Sequence, residues 1–404
     1  MPSRRTLLSA LGASAVSAAL AGCAALPDDP LEPTPDEPPE SGVDHRPDPG
    51  DHIFGADGEW SSFGCNASNT REVADGKAPV DGVEEQWRTE VFQMTAAEPI
   101  VADGRVYQLT VRDLAVYDAS DGSQLWTKSG AGGPPLVVGE TAYLGANDSL
   151  LALDAATGET LWERTFEKNA IVRSPATYSG DRLYVPAGET IHRVDSETGD
   201  VDWSRRLFGT LLGSPAIYSG YSVAVASEAG TLYLLGPDGT GAGEWNLPAV
   251  PEAPPTTDTD RIYVNCFDGR TYAADLERES KGTFAWDADS GVASAGLAVK
   301  SHVYATGTGG LSAIDPDTGE RAWKHDTGDW RWTAPALGRD TLFVGGDALY
   351  ALDPTPSGLL GDGPALRFEE SFFGRVGPGP VLNDGTLYVV AQTSEESYHL
   401  LALE

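Results

Sequence analysis

The six histidines of this chain, His45, His52, His192, His302, His325 and His399, stand too far apart for the paired spacings that hold a catalytic metal. No nucleophile elbow or phosphate-cradling loop occurs, and Gly241-Ala242-Gly243 reads as a turn rather than as a strand-to-helix junction. The acidic runs Asp154 to Glu159, Asp195 to Asp200 and Asp315 to Glu320 bring oxygen ligands together, yet they lack the spacing and terminal bidentate glutamate of a calcium loop. No catalytic residue and no metal site is expected. Cys65 and Cys266 fit either a disulfide or two buried thiols. With 61 acidic residues against 27 basic ones and a net charge of -34, the chain lacks the basic face that nucleic acid requires.

What remains is a thin set of cations and aromatics: Phe92 and Met94; Phe166, Lys168 and Arg173; Arg205, Arg206 and Phe208; Lys324, Trp330, Arg331 and Trp332; Phe372, Phe373 and Arg375. Arginine and aromatic side chains are favoured at binding hot spots, so Arg173, Arg331, Trp332 and Arg375 are the candidate contacts for a protein partner or an anionic or aromatic small ligand. The alternative is that several of them point sideways or pack under loops. The same acidic excess weakens a compact state through self-repulsion unless salt screens it, which fits a halophilic host or an ordinary acidic secreted protein.

Elements that must position these residues start after an address. Arg4 and Arg5 open a twin-arginine signal, and the apolar run to Ala21 is too short and too small-residue-rich to be a membrane span. Residues 1–22 are read as that signal. Leu20-Ala21-Gly22-Cys23 resembles a lipobox, which implies cleavage before Cys23 and a diacyl anchor on its sulfur, with the protein held to the outer face of the cytoplasmic membrane. Residues 23–57 are so rich in Pro, Asp and Glu that they are read as an extended, disordered tether.

From residue 58 to 404 one unit repeats. Trp87, Trp126, Trp162, Trp203, Trp245, Trp286 and Trp323 recur at intervals of 36 to 42 residues, with Phe368 at the next beat. Each unit reads as four short β-runs separated by Gly, Asn and Asp turns, clearest from Gly133 to Trp162. The outer-strand positions are offset by one from the inner ones, so the run ending at Trp87 completes the last unit. The expected fold is all-β: an eight-bladed propeller of four-stranded antiparallel blades, closed by an N-terminal strand joining the C-terminal blade. The tryptophans are expected to pack between blades at one fixed phase of the repeat. The connections from outer to inner strands, which carry the cations and aromatics named above, then gather at one face, around the mouth of the central funnel.

The run Ala152, Leu153, Asp154, Thr157, Gly158, Glu159 and Trp162 resembles the PQQ-like repeat of quinoprotein-type eight-bladed propellers, as do Ala313 to Trp323 and Arg193 to Trp203. Trp60 to Gly64 with Asn69 and Thr70 resembles the segment preceding the first blade in such proteins. The enzymes of this group carry an adjacent cysteine pair and a calcium beside the quinone, and no Cys-Cys pair occurs here. Size, export and lipobox resemble the BamB-like exported lipoproteins, and with the twin-arginine signal and the charge they suggest a haloarchaeal host. The resemblance implies a lipid-anchored binding or assembly scaffold with no cofactor; a PQQ- and calcium-dependent oxidoreductase and a solute- or polysaccharide-binding component are the alternatives.

Overall fold

Residues of the middle strands are apolar without alternation, as in Leu150-Leu151-Ala152-Leu153, because both faces of a blade are covered by neighbouring blades. The outer strand Thr160–Thr165 alternates instead, with Trp162 turned in between exposed Leu161 and Glu163. The computed structural model describes residues 59–73, 77–92, 97–178, 181–219, 222–276, 282–338, 340–356 and 363–404. Arg4, Arg5, Cys23, the signal and the tether lie outside the described residues, as does Met94.

These strands form eight antiparallel sheets of four, and the described residues contain no helix. Blades 1 to 7 span residues 100–129, 136–165, 176–206, 216–246, 256–289, 297–325 and 336–370. Blade 8 takes three strands from 376–403 and its outer strand from Glu85–Val91, with Trp87 opposite Ala402. The ring is thus closed without a covalent bond, reinforced by Glu84 N to Glu404 O at 2.6 Å and Glu404 N to Glu84 O at 2.9 Å. First strands of neighbouring blades meet around the axis.

Seams between blades explain the conserved phase of the aromatic. Trp87, Trp126, Trp162, Trp203 and Trp286 each donate an indole N–H across the seam to a turn carbonyl of the next blade, those of Ala119, Ala155, Ser196, Pro237 and Pro316, at 2.8–3.1 Å. The glycine of that same turn lies on the ring: a Cβ on Gly158 would come within 2.7 Å of Trp126, and one on Gly199 within 2.8 Å of Trp162. These glycines satisfy two demands at once, a positive φ of 72° and 71° and room for an indole.

Blade 4 departs from the expected single phase. In the other seven blades a one-residue bulge immediately precedes the outer-strand aromatic. In blade 4 the bulge falls at Ala242, and Gly243 occupies the aromatic's usual place opposite Leu234. Trp245 comes two residues late, and its ring folds back so that a Cβ on Gly243 would meet Cζ3 at 2.6 Å. Gly241-Ala242-Gly243, read from sequence as a turn, therefore opens the outer strand Gly241–Asn246.

Candidate functional site

The segment before blade 1 does not hang outside the ring. Inner edges of the blades present unpaired backbone N–H groups to the axis, a cost unless something accepts them. Residues 60–73 do so: carbonyls of Trp60, Ser61, Ala67, Ser68, Thr70 and Arg71 accept from Val101, Val137, Ile217, Thr257, Val299 and Leu337 at 2.6–2.9 Å, on blades 1, 2, 4, 5, 6 and 7. Glu72–Val73 then adds to blade 7 as a fifth, parallel strand. All these partners lie near the turn that ends each inner strand, so the plug closes the channel at that face and leaves a blind funnel opening at the other.

An ion pair holds the plug together. Arg71, 1% exposed, is bonded through Nη2 to Glu98 Oε2 and to Ala295 O, the latter at 2.8 Å. Glu98 Oε1 accepts from Trp60 Nε1 at 3.2 Å and Gly64 N at 2.7 Å. Phe63 lies 5.1 Å from the Arg71 guanidinium and lines the funnel. Positive φ at Cys65, Asn69 and Arg71 shows how tightly the segment winds, and Asn69 Nδ2 secures it to Ser214 O and Pro255 O at 2.8 and 2.9 Å. The sequence motif was visible, but nothing in its residue types announced that it would enter the channel.

Above Phe63 the funnel holds about 460 Å³, bordered by Thr110, Val111, Arg173, Ser174, Ser214 and Pro254 among others. Arg173 sits on this wall and reaches Glu228 at 3.5 Å. Arg331, Trp332 and Arg375 gather on another arc of the rim, over blades 6 to 8. There the Arg331 guanidinium lies 5.1 Å from the Trp332 ring, and Arg375 crosses from the next connection to lie 4.5 Å from Trp330. The four candidates therefore form two groups rather than one, and Trp330 joins the second. Lys324, Arg205 and Arg206 belong to outer strands, and Arg206 is spent on Glu189 at 2.9 Å. Phe166 is stacked on His192 at 4.3 Å.

Exposed apolar side chains share the mouth face. Phe92 at 84% and Phe373 at 65% exposure are joined by Ile171, Phe208 and Val250, all on connections from an outer strand to the next blade, and by Phe267 in a turn at the same end of blade 5.

The other chemically suggestive residues are occupied. Cys65 and Cys266 are free, buried thiols, not a disulfide, and burial raises both, Cys266 to about 12. Asp154 Oδ1 accepts from Ala156 N, Thr157 N and Thr157 Oγ1 at 2.8–3.0 Å, which holds its carboxyl below the usual range; Asp195 and Asp315 repeat the arrangement. Among the described residues no three His, Cys, Asp or Glu side chains gather to hold a cation. The described funnel wall supplies neither adjacent thiols nor an acid-and-amide calcium set, so these residues do not fit a quinone with calcium.

A family profile described as outer membrane protein assembly factor BamB matches residues 80–209, 146–246, 189–310 and 307–404. No curated protein matches in sequence. Among solved structures, BamB from Moraxella catarrhalis aligns with a TM-score of 0.60 and 17% identity over 79% of this chain and 97% of that one. Quinohemoprotein alcohol dehydrogenase from Comamonas testosteroni aligns at 0.66 and 15% over 85% and 80%. A computationally designed protein, Ika8, aligns at 0.59 and 14% over 78% and 99%. At these identities the alignments establish the fold alone.

Proposed function

The chain belongs to the family described as outer membrane protein assembly factor BamB, and from that membership we propose that it is an extracytoplasmic, lipid-anchored scaffold that binds a protein partner through the funnel-mouth face. The observation that carries this reading is the concentration of exposed Phe92, Ile171, Phe208, Val250, Phe267 and Phe373 at one end of the ring. Apolar side chains exposed together are costly in water and mark interaction surfaces. They sit beside the guanidinium and indole groups of Arg331, Trp332 and Arg375, the residue types that anchor protein interfaces. The quinoprotein reading has the fold in common but lacks its donor set here.

Anchoring enters the proposal through Cys23, and export through Arg4 and Arg5. Glu59 meets Asp103 N at 3.0 and 3.1 Å on the plugged face, so the preceding chain joins the ring opposite the mouth. A lipid on Cys23 then leads to the face opposite the mouth, and a leash of up to about 120 Å if fully extended leaves the mouth free to turn away from the membrane.

Crosslinking in native membranes tests the face. Phe92→Ser with Phe373→Ser is expected to abolish the partner crosslink seen with the natural chain while leaving the melting temperature unchanged; undiminished crosslinking by this folded variant rejects the face. Cys23→Ser is expected to release the protein from membranes, and its retention there rejects the anchor.

A further inference from the structure

On a chain of net charge -34, several solvent-facing arginines find a carboxylate of their own, Arg88 with Glu85, Arg164 with Asp200, Arg206 with Glu189 and Arg270 with Asp287, while Arg112 and Arg321 pair with none among the described residues. Among the described residues, Arg331 and Arg375 pair with none either. Asp326 and Asp329 share the connection that carries Arg331, and Asp347 lies in the facing turn of blade 7, yet neither guanidinium pairs with any of them. Asp326 Oδ1 is taken up by Gly328 N at 3.0 Å. The two cations are held by aromatic faces instead, Arg331 on Trp332 and Arg375 on Trp330. Trp330 Nε1 is enclosed and donates to no described residue, so this ring is positioned by stacking and packing.

Stacking fixes a guanidinium in place while leaving its in-plane N–H fork open, the geometry that meets a carboxylate with two parallel bonds. We propose that Arg331 and Arg375, each laid on a tryptophan, form a two-armed clamp for a carboxylate-rich peptide segment of the protein partner. The clamp rests on the scaffold reading and gives its partner a chemistry. An acidic occupant is favoured because these two cations lie over indoles, unpaired with the carboxylates of Asp326, Asp329 and Asp347 near them, and beside exposed Phe373. A sugar ring is disfavoured because a guanidinium already lies over one face of each indole. The net charge of the chain repels acidic ligands at a distance, but at 1 M salt the screening length is about 3 Å, so contact pairs decide recognition.

The test titrates purified full-length protein with fluorescein-labelled hexaglutamate, read by anisotropy at low and at molar KCl. Hexaglutamate is expected to bind saturably and hexaglutamine not to bind. Arg331→Gln with Arg375→Gln should weaken binding by at least roughly tenfold, and the double lysine variant should fall between, because lysine keeps charge without the stacked fork. Arg164→Gln, on an outer strand away from the mouth, should bind as the natural chain does. Circular dichroism melts identify the folded variants to be compared. Equal binding of the two peptides, or full binding by a folded double glutamine variant, overturns the clamp. A crosslink from residues 23–57 to residues 327–334 within the protein alone also overturns it, by assigning the site to the chain's own acidic segment. The titration needs no captured partner, so its failure leaves the Phe92 and Phe373 result standing, and loss of that result leaves the clamp measurable.

Discussion

The indole of Trp126 lies against Gly158 of the next blade so closely that an added Cβ would sit 2.7 Å from Cδ2 and Cε3, while Nε1 donates to Ala155 O at 3.1 Å. The repeat's two most visible residues are thus the two halves of one contact across a seam. Gly158→Ala is expected to cost about 2 to 4 kcal/mol, through its left-handed backbone and a displaced ring. Gly139→Ala, with φ of 54° and nothing within 4 Å, should show the backbone part alone, about 1 kcal/mol. Urea denaturation of both in high salt checks the difference; equal losses remove the seam contact as a stabilising feature.

Blade 4 offers the complementary test. Trp245 is 1% exposed and its Nε1 has no partner among the described residues, whereas half-buried Trp162 donates across its seam at 3.1 Å. If burial governs, Trp245→Ala should cost about 3 to 5 kcal/mol and Trp162→Ala about 2 to 3. The reverse order in denaturation midpoints assigns the larger share to the interblade bond. Neither change should alter hexaglutamate binding at the rim.

Removing one partner from the Arg71–Glu98 pair leaves the other charge buried at 1–2% exposure. Glu98→Gln or Arg71→Met is each expected to destabilise the ring by about 3 to 5 kcal/mol, with the double replacement costing less than the sum. Additive losses in a double-mutant cycle contradict a coupled plug. Loss of plug protection in hydrogen exchange should accompany either single change.

Acid should act in two windows. Burial against Phe166 holds the His192 imidazole at about 4, down from 6.5. The unfolded chain therefore takes this proton first, so stability is full above about pH 6.5 and falls toward pH 4 by on the order of 3 kcal/mol. His192→Phe should flatten that part of the pH profile, while His302 and His325, also lowered by burial, keep a smaller slope. The turn carboxylates Asp154, Asp195 and Asp315 are depressed, so their contribution is present above about pH 3.9 and lost only below it. A His192→Phe profile identical to that of the natural chain between pH 6.5 and 4 contradicts the assignment.

Much of this architecture was legible because it is periodic. Residues at equivalent places in a repeat meet equivalent neighbours, so the spacing of Trp87 to Trp323, the turns at Gly158, Gly199 and Gly319, and the surplus strand at Trp87 sufficed to infer eight blades and their closure. The same periodicity hid the exception, because Trp245 keeps the approximate interval while standing two residues beyond the place after the bulge, which Gly243 fills. Interval alone cannot separate two positions that share one face of a strand.

Residue types determined a strongly acidic repeat, its closure and a scarce supply of cations. The tertiary structure decided that Trp60 to Val73 plug one end, that Cys65 and Cys266 stay apart, and that Arg173 parts from Arg331 and Arg375. The reason is physical: hydrogen bonding of the plug depends on unpaired inner edges contributed by six blades, and stacking of Arg375 on Trp330 joins residues 45 positions apart. Neither exists until the ring has closed.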